Sequence, residues 1–288
     1  MPFDPRTNRF PYPVDTSSHY LKNKKDDHTV FDNDYCYLDK SKSFRFKRFF
    51  FRIVLVLIVF PMTRIRLNLK IIGRKNLKKY KDVLKNGVIT VSNHIHMWDY
   101  LAILLALKHL NTNVLVWDRN MTGESKKLVK MIGGIPIPNT DMQASIKMSN
   151  IVKELLLNKG WLHVYSEGSM WEFYQPIRPF KEGAAYYSIK TNKPILPLAF
   201  SYRKNGFIRR KIFNSPASIT VSIGEPIFPD LSKPFKEEKE RLTSECHDAV
   251  CKLAFINPED NIYPKIYNNS ERIDYYTNEY GIGYKKSR

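Results

Sequence analysis

The stretch Gly87-Val-Ile-Thr-Val-Ser-Asn-His-Ile-His-Met-Trp-Asp-Tyr100 decides the fold, because it joins two apolar segments of different kind through a short polar turn. The run from Val88 to Val91 is typical of a buried strand, and Leu101 to Leu107 predicts a buried helix. His94 therefore follows the end of a strand, and Asp99 begins a helix. Residues five apart in one helix lie about 140° apart around its axis, so only a turn can bring this carboxylate to this imidazole.

The pair of His94 and Asp99 indicates general base chemistry. A neutral imidazole, with a pKa of about 6.5, can take a proton from a hydroxyl near neutral pH. A carboxylate on its other ring nitrogen fixes the tautomer and stabilises the imidazolium that forms. The sequence has no serine or cysteine in a nucleophile-elbow pattern. We therefore expect direct attack by a substrate hydroxyl, with His94 as the catalytic base and Asp99 as the group that orients it.

Four further blocks follow this motif along the chain. The blocks are Gly133-Gly-Ile-Pro-Ile-Pro138, Tyr165-Ser-Glu-Gly-Ser169, Phe180-Lys-Glu-Gly-Ala184 and Pro194-Ile-Leu-Pro-Leu198. Together with the His-x4-Asp motif they resemble, in the same order, the blocks of the glycerophospholipid acyltransferases, the PlsC-like 1-acyl-glycerol-3-phosphate acyltransferase family. The resemblance covers roughly residues 70–228.

This resemblance implies a reaction and a set of partners. The reaction is transfer of a fatty acyl group from acyl-CoA or acyl carrier protein to the free hydroxyl of a lysophospholipid. The leading acceptor is 1-acyl-glycerol-3-phosphate, which would give phosphatidic acid in phospholipid biosynthesis. No cofactor and no metal are expected beyond these substrates.

The later blocks, by resemblance, supply substrate-binding residues. Glu167, Gly168 and Ser169 would help to form the acceptor site, where a glycine permits close approach of the backbone. Arg178 and Lys181 follow on the same loop and would bind a phosphate, or else form a solvated basic loop.

Three positions have less definite roles. Pro197 would shape the acyl-donor groove, and His96 would support His94 or contact the substrate. Asn93 would either hydrogen-bond near the thioester or close the turn, and both interpretations stay open.

Two departures from the family pattern concern the phosphate of the acceptor. Met170-Trp171 and Asn139 stand where the family usually has arginines that hold this phosphate. The acceptor could therefore be another lysolipid or a different lipid alcohol, unless Arg178, Lys181 or Arg119 substitutes.

The charge of the chain favours an anionic partner. It has 47 Lys and Arg against 28 Asp and Glu, a formal net charge of +19. Such a surface attracts nucleic acid, anionic lipid or phosphorylated substrates. Because the basic residues concentrate beside an aromatic, apolar segment, we expect an anionic membrane surface and no nucleic acid. The three cysteines suggest a reducing compartment, and no signal-peptide pattern begins the chain. We therefore expect the protein at the cytoplasmic face of a membrane, with peripheral or monotopic attachment.

The sequence divides into four parts. Residues 1–42 form a polar N-terminal arm, 43–63 an amphipathic membrane-interface segment, 64–228 the acyltransferase domain, and 229–288 a C-terminal helix with a polar tail.

The membrane-interface segment predicts a helix from Ser43 that ends before Pro61. Its arginines, Arg45, Arg48 and Arg52, share one face, which we expect to meet lipid phosphates while the aromatic residues enter the acyl boundary. The uncharged run is shorter than the ~20 residues that span a bilayer. A core helix with a solvated basic face is the alternative.

Strand and helix patterns alternate through residues 64–228, which predicts an α/β domain with a mostly parallel central sheet flanked by helices. The first predicted strand is Arg64 to Ile72, followed by a basic connection, and a helix capped by Asp141 would bury Ile146, Ile151, Leu155 and Leu156. Sheets of this kind place their sites at strand ends, where His94 and Glu167 fall.

Two rival functions share these features. A non-catalytic basic protein could bind membrane or nucleic acid through charge alone. A lipid hydrolase could use the same His94 and Asp99 to activate water.

Overall fold

A seven-stranded sheet forms the centre of the computed structural model, which describes residues 12, 29–123, 125–139, 141–213 and 215–261. The spatial order of the strands is β1-β7-β6-β2-β5-β3-β4. In chain order they are β1 Lys70–Ile72, β2 Val88–Ser92, β3 Asn113–Trp117, β4 Gly134–Ile137, β5 Trp161–Tyr165, β6 Ile195–Lys204 and β7 Ala217–Ile223.

All neighbouring strands are parallel except β6 and β7, which are antiparallel. The predicted mostly parallel α/β sheet is therefore confirmed. Because β2, β5 and β6 run in the same direction, their carboxyl ends lie at one edge of the sheet. His94, which follows β2, and Glu167, which follows β5, both come to this edge.

Helices cover both faces of the sheet. One core cluster joins α5 to the end of α2, and the other joins α7, α8 and α10. The helices are α1 Lys42–Val54, α2 Phe60–Leu67, α3 Arg74–Lys79, α4 Lys81–Leu84, α5 Asp99–Leu107, α6 Ser125–Ile132, α7 Met142–Leu157, α8 Gly183–Thr191, α9 Phe207–Phe213 and α10 Phe235–Leu253. The predicted basic connection after β1 thus contains the short helices α3 and α4.

The N-terminal helix continues through Pro61, so the prediction that it ends there is wrong. A π-helical segment, Leu55–Val59, joins α1 to α2, and the Phe60 N–H donates to the Leu55 carbonyl five residues back. Proline has no N–H, and in an α-helix its ring crowds the carbonyl four residues back. A wider turn directly before Pro61 relieves that conflict.

The predicted strand from Arg64 to Ile72 is also wrong over most of its length. The chain is helical to Leu67, and only Lys70–Ile72 pairs, in parallel with β7. The alternating apolar residues suggested a strand, but Thr63 and Leu67, four residues apart, are the buried positions of a helix.

The orientation of α1 reverses the expected one. Arg48 and Arg52 turn towards the domain, and the Arg48 Nε donates a hydrogen bond to the Met131 carbonyl at 3.1 Å. Burial lowers the pKa of both guanidinium groups, and that of Arg48 falls to about 10. Arg45 is exposed. The outward face of the continuous helix is apolar instead, with exposed Phe46, Phe49, Phe50, Ile53, Val54, Val56, Leu57, Ile58, Met62 and Ile65.

In the part of the chain that the structure describes, no helix has both the length and the apolar character that crossing a bilayer requires.

Helix α7 begins after Asp141 as predicted, and the Asp141 side chain accepts a hydrogen bond from the Gln143 N–H. Its buried stripe differs in part from the predicted one. The buried residues repeat every four positions and are Ala144, Met148, Val152 and Leu156, whereas Ile146 is exposed. Of the four predicted residues, Leu156 is buried and Ile151 and Leu155 are half-buried against the same core cluster, so Ile146 is the one that the prediction placed wrongly.

Most of the polar arm, residues 1–11 and 13–28, and most of the tail, residues 262–288, lie outside the described residues. Within the arm, Tyr12 is buried and its hydroxyl donates to the Glu172 carbonyl at 2.7 Å. Tyr37 is also buried, against the core cluster of α7, α8 and α10. These tyrosines tie described parts of the arm to the domain.

Candidate active site

The structure brings His94 and Asp99 into contact. His94 Nδ1 lies 3.0 Å from Asp99 Oδ2, and the same oxygen accepts the backbone N–H groups of Ile95 at 2.6 Å and His96 at 2.9 Å. Asp99 is fully buried and is the first residue of α5. These N–H groups supply hydrogen-bond donors to the buried carboxylate oxygen and hold it in place.

This arrangement sets the state of the imidazole. The Asp99 carboxylate accepts a hydrogen bond from Nδ1–H, which leaves Nε2 as the nitrogen with the free lone pair. Nε2 of His94 makes no hydrogen bond with any residue that the structure describes, and the His94 side chain is 22% exposed. The ring therefore presents its basic nitrogen to an incoming group.

The Tyr165 ring holds the other side of the imidazole. The two ring centroids are 3.8 Å apart and the planes are inclined by only 13°, so the rings are stacked. Burial, followed by the charge of Asp99, raises the pKa of Tyr165 well above its usual value. The phenol therefore stays neutral, and its face can stabilise a positive charge on the imidazole.

Glu167 links the end of β5 to the histidine turn. Its Oε2 accepts the backbone N–H of His94 at 2.9 Å, and its Oε1 accepts the backbone N–H of Arg178 at 2.7 Å. The Arg178 guanidinium bonds to Glu167 Oε2 at 3.2 Å and to Ser169 Oγ at 2.6 Å, and also donates to the Ser169 carbonyl. One buried ion pair thereby fixes the backbone of His94.

The position of Arg178 corrects its predicted role. Its side chain is 2% exposed and stacks on Trp171, with 4.6 Å between the guanidinium carbon and the ring centroid. Binding a phosphate and lying on a solvated loop both need an exposed guanidinium. Trp171, which departs from the family pattern, contributes to this burial.

Comparisons with known proteins show what the chain is similar to. A family model described as Acyltransferase matches residues 68–201. The 1-acyl-sn-glycerol-3-phosphate acyltransferase of Borreliella burgdorferi is 26% identical over 181 residues, which cover 62% of the chain and 69% of that protein. Tafazzin of Saccharomyces cerevisiae is 26% identical over 128 residues, 38% of the chain and 33% of its own length.

A solved structure shares the fold. The crystal structure of the 1-acyl-sn-glycerophosphate acyltransferase PlsC from Thermotoga maritima superposes with a TM-score of 0.50 at 16% identity, over 75% of the chain and 82% of that protein. The family model and the curated relatives support the resemblance to the glycerophospholipid acyltransferases that the sequence blocks indicate, and the solved structure supports the fold. The acyltransferase activity predicted from the sequence is thereby supported in its general class.

Two further residues of the acyltransferase motif have supporting positions. Asn93 is buried and pairs with the backbone of Phe200 in β6, donating to its carbonyl at 3.1 Å and accepting from its N–H at 2.8 Å. His96 accepts the Trp98 N–H at 3.0 Å, and burial lowers its pKa to about 4. Asn93 therefore joins the turn to the sheet, and His96 is a neutral part of the turn rather than a second base.

The remaining predicted residues lie around the same edge of the sheet. Gly168 has a φ of +78°, a backbone conformation that other residues rarely adopt, and the space where a Cβ would lie is occupied by the flexible end of Lys181. Lys181 is exposed and covers Gly168. Pro197 is buried at the point where β6 changes from pairing with β2 to pairing with β7, which accounts for a proline without an N–H in a central strand. Its role at an acyl-donor groove stays a prediction.

Sequence reasoning missed a polar cluster beneath His94. His163 is fully buried in β5 and lies 2.8 Å from Thr90 Oγ1 and 3.3 Å from Ser92 Oγ; burial lowers its pKa to about 3. The signal was available in the alternation of β5, since His163 and Tyr165 are two apart and share a face.

Among the residues that the structure describes, no group of three or more His, Cys, Asp or Glu side chains has an arrangement that could hold a metal ion.

Proposed function

We propose that this acyltransferase moves a fatty acyl group from a thioester donor, acyl-CoA or acyl carrier protein, to the free hydroxyl of a lysophospholipid. The leading acceptor is 1-acyl-glycerol-3-phosphate, with phosphatidic acid as product. One observation carries the proposal: the buried Asp99 holds His94 so that its basic Nε2 is free beside the Glu167 loop.

The chemistry follows from this one nitrogen. Nε2 of His94 takes the proton of the acceptor hydroxyl as its oxygen bonds to the thioester carbonyl carbon. The carbon–sulfur bond then breaks, and the imidazolium returns the proton to the leaving thiolate. General base catalysis contributes about 10²–10⁴-fold, and alignment of the two bound lipids supplies much of the rest.

The acceptor phosphate needs a cation other than Arg178. Lys181 is exposed beside Gly168, and Arg119 lies near the end of β3, with its guanidinium carbon 5.0 Å from the Trp117 ring centroid. Both are candidates for the contacts that the family usually makes through arginine. Lys181 is the closer in sequence to Glu167, and we assign it the phosphate contact.

The outward face of the α1–α2 helix supports attachment to a membrane surface. It presents a run of exposed apolar residues, among them Phe49, Phe50 and Leu57, the last 69% exposed. A face of this kind is stabilised by burial at the boundary between headgroups and acyl chains. We propose peripheral or monotopic binding at the cytoplasmic face of an anionic membrane, through this apolar face rather than through the inward arginines.

The deciding experiment offers the purified protein a panel of lysolipids with acyl-CoA or acyl carrier protein and identifies products by mass spectrometry. We expect diacyl phospholipid in the wild type and its loss in His94→Ala. A matched control is His247→Ala, since His247 lies on α10 outside the turn. Full turnover by folded His94→Ala would refute the mechanism. Release of free fatty acid without an acceptor would indicate a hydrolase, and a salt-dependent shift of DNA would indicate a nucleic-acid-binding protein.

A further inference from the structure

Helix α9, between β6 and β7, has an unusual concentration of exposed apolar side chains. Phe207 and Ile208 are each 71% exposed and Ile212 is 67% exposed. Single exposed apolar residues are common on protein surfaces, but a cluster on one short helix marks a contact site. A helix this short is also unstable in water unless its apolar side chains pack against something.

The position of α9 places this cluster at the active-site edge of the sheet. Only Asn205 and Gly206 separate α9 from the end of β6. Because β6 is parallel to β2 and Val91 pairs with Pro197, β6 extends about six residues beyond the end of β2, on the side of the sheet that carries His94. A surface bound by α9 would therefore lie on the same side of the sheet as the candidate active site.

Arg209 connects α9 to α2. Its guanidinium donates to the Ile65 carbonyl and, at 3.2 Å, to the Arg66 carbonyl. A cation on the last carbonyls of a helix is favourable, because these groups have no partner within the helix. The contact places α9 beside the exposed Met62 and Ile65 of α2, so the two helices contribute to one apolar surface.

The charge around α9 selects the partner. Lys204 and Lys211 are exposed next to the apolar side chains, and the whole chain carries +19. A second copy of this chain would bring the same positive charge to the contact, which is unfavourable. A lipid surface with anionic headgroups complements both the lysines and the apolar cluster.

We propose that α9 is a second membrane-docking element that acts together with α1–α2. Phe207, Ile208 and Ile212 insert among the acyl chains, and Lys204 and Lys211 contact anionic headgroups. Contact with lipid at α9 as well as along α1–α2 fixes the tilt of the protein, so that the active-site edge faces the lipid surface and a lysolipid enters from the membrane. This inference rests on the membrane attachment in the proposed function.

The first test measures partition of the full-length protein onto vesicles of phosphatidylcholine with a minor fraction of phosphatidylglycerol. The variant combines Phe207→Ser, Ile208→Ser and Ile212→Ser. The control combines Met142→Ser and Leu157→Ser, which remove exposed apolar residues from α7, on the other face of the sheet. We expect partition to fall about 10- to 100-fold in the α9 variant and to stay unchanged in the control.

A second test reports insertion directly. We would measure the tryptophan fluorescence of Phe207→Trp on vesicles whose phospholipids carry brominated acyl chains. The wild type is the reference, because it contains 4 native tryptophans. Additional quenching supports insertion of α9, and the absence of any additional quenching overturns it. Vesicles of phosphatidylcholine alone give weaker binding if the lysines contact anionic lipid.

Activity separates this inference from the proposed function. With a short-chain lysolipid below its critical micelle concentration, the α9 variant should match the wild type within about 3-fold, while its activity on vesicle-borne acceptor falls in proportion to partition. Equal loss on both acceptors, or a changed oligomeric state without vesicles, would overturn the docking role. The two proposals can fail separately. If Phe207→Trp shows additional quenching but the wild type acylates no lysolipid, the docking role is supported and only the proposed function is refuted.

Discussion

The imidazole of His94 stacks on the phenol of Tyr165, with ring centroids 3.8 Å apart, while its edge bonds to Asp99. The proposed base is thus held in two perpendicular directions by groups from different strands and helices. The carboxylate determines which nitrogen is basic, and the aromatic face restricts rotation of the ring. Positioning of the base therefore depends on β5 as much as on the His-x4-Asp motif.

Replacing Tyr165 tests this stacking. Tyr165→Phe keeps the aromatic face and removes a buried hydroxyl that has no hydrogen-bond partner among the residues that the structure describes, so kcat should stay within about 2-fold. Tyr165→Leu removes the face, and since such ring pairs contribute about 0.5–1.5 kcal/mol, kcat should fall about 3- to 10-fold. The pH profile of kcat/KM, which reports the imidazole pKa, should shift in Tyr165→Leu and not in Tyr165→Phe. Equal profiles in both variants would show that the stacking is only structural.

Asp99→Asn tests the orientation of the base. The amide can present either an oxygen or an NH₂ group, and it has lost the charge that stabilises the imidazolium, so kcat should fall by about 10²–10⁴-fold with little change in KM. Asp82→Asn on the exposed helix α4 is the control and should leave kcat unchanged. Single-turnover kinetics with a soluble acceptor measure the loss. A kcat within 2-fold of wild type, roughly the scatter of such assays, would exclude Asp99 from the mechanism.

The pair of Arg178 and Glu167 makes a stability prediction. Arg178→Met leaves the Glu167 carboxylate buried with fewer partners, which should lower the free energy of unfolding by about 3–5 kcal/mol. The double variant Arg178→Met with Glu167→Gln should recover part of this loss. Lys181→Met is the matched control, because an exposed cation contributes little to stability, and it should raise KM for a phosphate-bearing acceptor. Urea unfolding gives the energies, and loss of stability in Lys181→Met would contradict the assignment.

Two buried histidines predict how stability depends on pH. Burial lowers the pKa of His163 to about 3 and that of His96 to about 4, below the value of about 6.5 expected in the unfolded chain. Between the folded-state and unfolded-state pKa values, the unfolded chain binds more protons than the folded protein. The contribution of these histidines to the free energy of unfolding is therefore fully present above pH ~6.5. It decreases as pH falls towards 4, by up to about 1.4 kcal/mol per pH unit for each histidine.

His163→Gln provides the check on that window. Glutamine keeps a hydrogen-bonding group near Thr90 and does not titrate, so the variant should lose less stability than the wild type between pH 7 and pH 4 (about 3 pH units). Thermal unfolding across this range measures the difference. Parallel curves for the two proteins would show that His163 is not held neutral in the folded state.

The apolar face of α1 gives a prediction for membrane binding. Replacing Phe46, Phe49 and Phe50 by serine should reduce partition onto anionic vesicles about 10- to 100-fold, because each side chain is exposed in the protein and would be buried in lipid. Arg45→Gln, on the same helix, should reduce partition only at low salt. Flotation at two salt concentrations measures both variants. Wild-type partition of the triple variant would exclude the α1 face from membrane binding.

Several elements could be predicted because their signals are local. Strand β2 and helix α5 have continuous apolar runs, and the structure places them where the sequence predicted them. The C-terminal end of the N-terminal helix could not be predicted from the sequence, because the π-helical turn that accommodates Pro61 depends on packing of the whole helix. Tertiary contacts, such as the hydrogen bond from Arg48 to the Met131 carbonyl, likewise decide which side of α1 faces the domain.

The sequence by itself determined that a strand end, a turn and a helix start would carry His94 and Asp99, because periodicity and spacing are properties of the local chain. Only the tertiary structure decided what surrounds the imidazole. Tyr165 and Glu167 reach His94, and Arg178 reaches Glu167, because β5 pairs with β2 across more than sixty intervening residues. Contacts of this kind depend on how strands assemble and on which side chains become buried, and no local pattern encodes that assembly.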